Sequence, residues 1–179
     1  MKLTTKEITQ SAIFAAVIAI MSVITIPVGV IPITLGLFGI MLTAIMLGAK
    51  KGFLSVLIFI LAGAIGLPVF SGFKGGFQVL AGPTGGYISS FILVALIIGF
   101  VSDRIKMRGF VEYVIIFLAC CVGVVICYAL GTVQFMAVSG SSLQDALAKC
   151  VLLFIPFDLI KAAAATFLGI TVKKRLKIF

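Results

Sequence analysis

The sequence predicts an all-α integral membrane protein with six transmembrane helices in one bundle. Of the 179 residues, 63% are hydrophobic and only 11% are charged, whereas a soluble domain is about 45–50% apolar and about 25% charged. Apolar stretches long enough to cross a membrane alternate with short breaks. This composition excludes a soluble enzyme and a disordered chain.

The predicted spans follow one another in a single domain covering residues 1–179. Pro27 and Gly29 end the first span, Lys50 and Lys51 end the second, and Pro68 ends the third, because proline and charge both interrupt an apolar helix. A glycine-rich segment separates the third span from the fourth. The six spans are residues 8–26, 34–49, 52–67, 84–101, 112–136 and 145–172.

The distribution of positive charge predicts the orientation. The chain has 14 Lys and Arg residues and a formal net charge of +9. With six spans, all of these residues except Lys74, Lys149 and Lys161 fall on the side that holds both termini. Positive charge collects on the cytoplasmic side of membrane proteins, so both termini are predicted to be cytoplasmic. Short runs of loop charge of this kind also argue against nucleic acid as a partner.

Asp158 and Lys161 are the strongest candidates for a functional site. They are three residues apart, so they share one helix face within the sixth predicted span. A charge costs roughly 2.5–3.5 kcal/mol at the centre of a lipid-facing helix, so both side chains are expected to face the bundle interior. Two interpretations stay open: a pair of polar groups in a ligand pocket, or a structural ion pair that locks helix packing.

The glycine-rich segment supplies a second candidate. The run 82–86 (Gly-Pro-Thr-Gly-Gly) opens the fourth span, and the amide groups at a helix N-terminus bind anions such as a carboxylate. Gln78 and Tyr87 add hydrogen-bonding side chains. The alternative is a compact re-entrant turn.

The first span carries two overlapping Ala-x-x-x-Ala patterns, Ala12 with Ala16 and Ala15 with Ala19. Small residues four positions apart allow another helix to approach closely. The pattern fits either an interface with a partner helix or packing within the chain.

The residue inventory predicts neither a metal site nor a cofactor. The chain has no histidine, and its four cysteines form no Cys-x-x-Cys pair, so a catalytic triad, a zinc site and a redox motif are not indicated. A membrane enzyme that uses Asp158 and Lys161 as an acid–base pair is an alternative, but no second carboxylate or nucleophile is placed near them.

Five segments closely resemble the BioY family, the biotin-specific substrate-binding subunits (S components) of energy-coupling-factor transporters. The resemblance covers nearly the whole chain, and the block Gly-Pro-Thr-Gly-Gly-Tyr is its most specific part. The segments are residues 32–34, 66–70, 75–76, 82–87 and 156–161.

This resemblance implies an S-component-like bundle in the plasma membrane of a prokaryote, without a cofactor. It implies high-affinity capture of biotin from the outside, with the first outer loop as a lid. The expected substrate-binding residues are Asp158, Lys161, Tyr87, Gln78, Thr84, Gly85, Gly86 and Thr34.

The resemblance also implies partners. The alanine face formed by Ala12, Ala15, Ala16 and Ala19 would dock on a transmembrane T component, which joins the S component to two cytoplasmic ATPases. A solitary biotin carrier that works without ATPases is the alternative.

Overall fold

The computed structural model describes residues 4–27, 31–107 and 109–176. Within this part, five helices are long and apolar enough to cross a membrane: α1, α2, α4, α5 and α7. The elements in chain order are α1 (Thr5–Val23), β1 (Thr25–Ile26), β2 (Ile33–Thr34), α2 (Gly36–Ala64), α3 (Phe77–Ala81), α4 (Gly85–Arg104), α5 (Phe110–Ser139), α6 (Leu143–Leu147), a π-helical turn (Ala148–Leu152) and α7 (Ile155–Leu176). Four residues that contribute to the predicted spans and charge distribution lie outside the described part of the chain: Lys2, Gly29, Arg108 and Lys177.

Helix α1 begins at Thr5 rather than at residue 8 because Thr4 caps it. The Thr4 hydroxyl accepts a hydrogen bond from the Glu7 amide, and the Glu7 carboxylate accepts one from the Thr4 amide at 2.9 Å. This reciprocal pair satisfies two otherwise unpaired N–H groups. Glu7 also forms an ion pair with Lys50 at 2.7 Å, which joins the start of α1 to α2.

Helix α2 is broken at Gly48. This residue has φ 76° and ψ −176°, a conformation that glycine adopts without a steric penalty. A Cβ at Gly52 would lie 3.3 Å from the Cα of Ala44, although residues 44 and 52 would be about 12 Å apart in a straight helix. The chain therefore turns back at Gly48. The predicted spans 34–49 and 52–67 correspond to the two halves, and the turn lies at Gly48 rather than at Lys50 and Lys51.

Side chains of α4 replace the hydrogen bond that the break removes. In a continuous helix the Ala49 amide would donate to the Ile45 carbonyl. Here the Ala49 amide donates to the Asp103 carboxylate at 2.8 Å, and the Ser102 hydroxyl donates to the Ile45 carbonyl at 2.7 Å. Lys173 of α7 donates to the Ser102 hydroxyl at 2.8 Å. Both backbone groups are thus satisfied despite the break in the helix.

The predicted sixth span, residues 145–172, is not one continuous helix. It is divided into α6, the π-helical turn and α7. Pro156 has no amide hydrogen, so it fits the first turn of a helix but not the interior. Helix α7 consequently begins at Ile155, which places Asp158 in its first turn, where the helix dipole stabilises negative charge.

The segments at the other end of the bundle from Gly48 form its irregular part. Strands β1 and β2 pair antiparallel, with Thr25 opposite Thr34. The segment 65–84 folds back onto α2, because Phe70 is 1% exposed and contacts Phe59 edge-to-face at a centroid distance of 5.5 Å. Gly63 makes room for the Phe70 ring, since any Cβ there would overlap it. The 65–84 segment is thereby held over one end of the helices.

Candidate functional site

A cavity of about 140 Å³ lies where the hairpin, the 65–84 segment and the π-helical turn meet. Its volume is enough for roughly ten water-sized positions at about 10–15 Å³ each. Most of its wall is apolar, and includes Leu37, Phe70, Ile88, Phe91 and Phe154. A few polar groups converge on this apolar wall, which is typical of a site for a small organic molecule.

The polar centre of the cavity is Asp158. It is 4% exposed, and both of its carboxylate oxygens are engaged. Lys161 Nζ donates to Oδ1 at 2.9 Å, and the Tyr128 hydroxyl donates to Oδ2 at 2.7 Å. All three residues line the cavity. A buried carboxylate is tolerated when it is paired and hydrogen-bonded in this way.

This arrangement retains capacity for a ligand. Each carboxylate oxygen of Asp158 offers two lone pairs, and one protein donor occupies each oxygen. The Lys161 ammonium has three N–H donors. The pair therefore presents an acceptor and a donor next to each other, which complements a ligand group that carries N–H and C=O side by side, such as an amide or a urea.

Three other predicted residues, Thr34, Thr84 and Tyr87, also line the cavity. The Tyr87 hydroxyl is buried and makes no hydrogen bond within the described part of the chain. Its ring packs against Gly131, where a Cβ would overlap it, so its position is fixed. A buried hydroxyl without a partner is costly, and a ligand could supply one. Thr34 Oγ1 accepts from the Gly36 amide at 3.1 Å.

Gln78, Gly85 and Gly86 are not brought to the cavity wall. Gln78 is exposed, and its amide nitrogen donates to the Gly75 carbonyl at 2.8 Å. The Gly85 amide already donates to the Gly82 carbonyl at 3.1 Å. A Cβ at Gly86 would lie 2.5 Å from a carbonyl oxygen of α5. The two glycines therefore allow α4 to pack closely against α5 and against the segment that precedes α4.

Nearly the whole chain matches a single protein family. The model of the BioY family matches residues 1–178. The chain belongs to the BioY family. This match confirms three predictions: the family itself, a multi-pass membrane protein, and a transport protein rather than an enzyme.

Individual BioY relatives match over nearly their full length. The biotin transporter BioY of Thermotoga maritima is 40% identical, covering 94% of this chain and 96% of the relative. The biotin transporter BioY of Rhizobium etli is 37% identical, covering 93% and 92%. Among solved structures, the S component for biotin from an ECF-type ABC transporter superposes with a TM-score of 0.85 at 33% identity, covering 97% of this chain and 95% of that one.

Sequence reasoning missed two polar residues of α5 in this BioY chain. Tyr128 holds Asp158, and Gln134 donates to the carbonyls of Leu80 and Gly82 at 2.7 and 2.9 Å. Gln134 thereby fixes the segment that precedes α4. A polar side chain within a long apolar helix is itself a signal of a buried polar contact, and this signal could have identified both residues.

The four alanines of α1 do not form a single exposed face. Ala12 and Ala16 are exposed, whereas Ala15 is 5% exposed and packs in the helical core. Ala19 is half-buried against the same core. Ala12 and Ala16, with the exposed Ile20 nearby, are therefore the members of the pattern that another helix could contact.

The cysteines of the described chain are free thiols. Cys127 and Cys150 are buried and line the cavity, and Cys120 is buried in the core. None of the described residues belongs to a group of three or more His, Cys, Asp or Glu side chains that could hold a metal ion. The thiols thus contribute small, weakly polar surface to the wall.

Proposed function

We propose that this chain is a biotin-binding S component that captures biotin from outside the cell and delivers it inward with an ATP-driven energy-coupling module. The observation that carries the proposal is the buried Asp158, held by Tyr128 and Lys161 in the wall of the cavity. The similarity to the biotin transporters of Thermotoga maritima and Rhizobium etli, and to the crystal structure of an S component for biotin, supports biotin as the ligand.

The chemistry of biotin suits the cavity. Biotin carries a fused ureido–thioether ring and a valerate carboxylate. The ureido N–H groups would donate to the Asp158 carboxylate, and the ureido oxygen would accept from Lys161 Nζ. Tyr87 would offer its buried hydroxyl to the ligand, and Thr34 and Thr84 would contact it from the same cavity wall. The apolar wall would enclose the ring.

The proposed arrangement in the membrane has six crossings and cytoplasmic termini. The two halves of α2 fold back on each other at Gly48, so five long helices would supply six crossings. The start of α1, the break in α2 and the end of α7 lie at one end of the bundle, as the contacts Glu7–Lys50 and Lys173–Ser102 require. Most of the basic residues that the structure describes lie at that end, which favours a cytoplasmic location. The cavity would then open outward.

Biotin binding is tested by calorimetry on the detergent-purified protein, because the chain contains no tryptophan. The parent protein is expected to bind one biotin tightly. Asp158→Asn is expected to weaken binding about 100-fold, equivalent to about 2.7 kcal/mol, because it removes the charged acceptor. Asp145→Asn is the matched control, since Asp145 is exposed and outside the cavity. A parent protein that is folded but does not bind biotin would refute the assignment of the ligand.

Coupling to ATPases is tested by uptake into liposomes. The proposal expects biotin uptake only when a T component and two ATPases are present with ATP. The exposed pair Ala12 and Ala16 on α1 would contact the T component through close helix packing. ATP-independent net uptake by the chain alone would instead favour the solitary carrier.

A further inference from the structure

Lys74 lies in the wall of the same cavity without a role in the site described so far. Lys74 is one of the residues that line the cavity, yet it is exposed, so it lies at the mouth rather than in the interior. Within residues 4–27, 31–107 and 109–176 its ammonium group makes no ion pair and no side-chain hydrogen bond. The other two charged residues of the wall, Asp158 and Lys161, are paired with each other.

The backbone holds Lys74 firmly at this place. Phe70 and Lys74 form a two-way bridge, with the Phe70 amide donating to the Lys74 carbonyl at 2.9 Å and the reverse bond at 3.3 Å. The turn between them passes through Gly72 at φ 70° and Phe73 at φ 56°. A left-handed conformation costs a non-glycine residue about 1 kcal/mol or more, so the surrounding contacts must enforce it. The buried Phe70 ring supplies the anchor.

The charges of the wall are not balanced. Asp158 and Lys161 cancel, which leaves Lys74 as one positive charge in excess among the described lining residues. A cavity with an excess positive charge at its mouth and a neutral ion pair in its interior complements a ligand with one anionic end and one uncharged hydrogen-bonding end. Such a charge also raises the rate at which anions enter.

We propose that Lys74 binds the anionic group of the ligand and so determines its orientation and its specificity. This proposal rests on the proposed function. It assigns the biotin carboxylate to Lys74 and the ureido ring to Asp158 and Lys161. The amides at the start of α4 are weaker candidates for the carboxylate, because the Gly85 amide is already bonded to Gly82.

The test compares two ligands that differ only in charge. Calorimetry is performed with biotin and with the uncharged biotinamide on the parent protein and on Lys74→Gln, Lys74→Arg and Lys149→Gln. Lys149 is the matched control, because it is an exposed lysine that does not line the cavity. Lys74→Arg keeps the charge and provides a rescue.

We expect a loss of affinity in one combination of variant and ligand, Lys74→Gln with biotin. Lys74→Gln weakens biotin binding about tenfold, the loss of one charge-assisted hydrogen bond, and leaves biotinamide affinity within about twofold. Lys74→Arg and Lys149→Gln keep the parent affinity for both ligands. The parent protein itself prefers biotin to biotinamide, and increasing salt reduces this preference.

Three results would overturn the proposal. Equal losses for biotin and biotinamide would show that Lys74 shapes the cavity without pairing with the carboxylate. Unchanged affinity for both ligands in Lys74→Gln would show that the carboxylate lies elsewhere. A folded parent protein that binds neither ligand would refute the proposed function and this assignment together, whereas either of the first two results leaves biotin binding itself intact.

Discussion

The ion pair at the cavity allows a structural role to be separated from a ligand-binding role. Lys161→Met removes the ammonium and leaves the Asp158 carboxylate buried at 4% exposure, with Tyr128 as its remaining side-chain partner among the described residues. Removing one member of a buried pair costs about 3–5 kcal/mol. We take about 3 kcal/mol here, because Tyr128 remains and the cavity admits water. At about 2–4 °C per kcal/mol for a chain of this size, Tm falls by about 6–12 °C.

The double variant Asp158→Asn/Lys161→Met restores neutrality. Because no uncompensated charge stays buried, it is expected to recover most of the lost stability, to within about 1 kcal/mol of the parent protein. The asparagine oxygen can still accept from Tyr128. Thermal unfolding in detergent, followed by loss of helical circular dichroism, measures all three proteins under the same conditions.

Binding and stability should then respond differently. The double variant is expected to be stable and yet to bind biotin at least 100-fold more weakly, about 2.7 kcal/mol, since both ligand-facing groups are changed. The reasoning is refuted if Lys161→Met keeps the parent Tm within about 2 °C, because the carboxylate would then not be desolvated. It is also refuted if the double variant binds biotin like the parent protein, because the pair would then be structural only.

Three further predictions concern single positions. Tyr128→Phe removes the hydrogen bond to the site carboxylate and is expected to weaken biotin binding about tenfold by calorimetry; an unchanged affinity would contradict its proposed role. Gly63→Ala inserts a Cβ into the Phe70 ring and is expected to destabilise the protein by about 2 kcal/mol in thermal unfolding, whereas an unchanged Tm would mean that the 65–84 segment can shift without cost. Ala16→Leu on the exposed face of α1 is expected to abolish ATP-driven uptake in liposomes and to leave biotin binding intact, while the buried Ala15→Leu lowers Tm; equal uptake by Ala16→Leu and the parent would exclude that face as the contact.

Much of the helix order could be predicted because the membrane imposes simple rules. Charge within an apolar span must face the interior, and Asp158 and Lys161 do so. The turn at Gly48 could not be predicted from the charges, because Lys50 and Lys51 indicate where polar surface begins, whereas the reversal needs a residue that tolerates φ 76°. Pro156 indicates that a helix begins near it. Whether residues 145–154 continue that helix or form a separate turn depends on how they pack, and the sequence does not give that packing.

The site was predicted less completely than the fold. Asp158 and Lys161 are three residues apart and could be paired by local spacing. Tyr128, which holds the other carboxylate oxygen, lies on a different helix, and no local spacing connects it with Asp158. The glycines 85 and 86 are predicted to contact the ligand because helix N-termini bind anions. The structure packs both of them closely against neighbouring backbone, and their contact with a ligand stays a prediction.

The placement of interhelical polar contacts indicates where a ligand can enter. At the end of the bundle that contains Gly48, charged side chains join the helices in pairs, and each such bond resists separation of the two elements it connects. At the cavity end, Gln134 ties the 65–84 segment to α5 by two hydrogen bonds, whereas the described part of the hairpin contacts the bundle through apolar side chains such as Ile31. Segments of one protein open at different free energies, so we expect access through the hairpin while the other end stays closed. The ties at the closed end are Glu7–Lys50, Asp103–Ala49, Ser102–Lys173 and Glu112–Lys174.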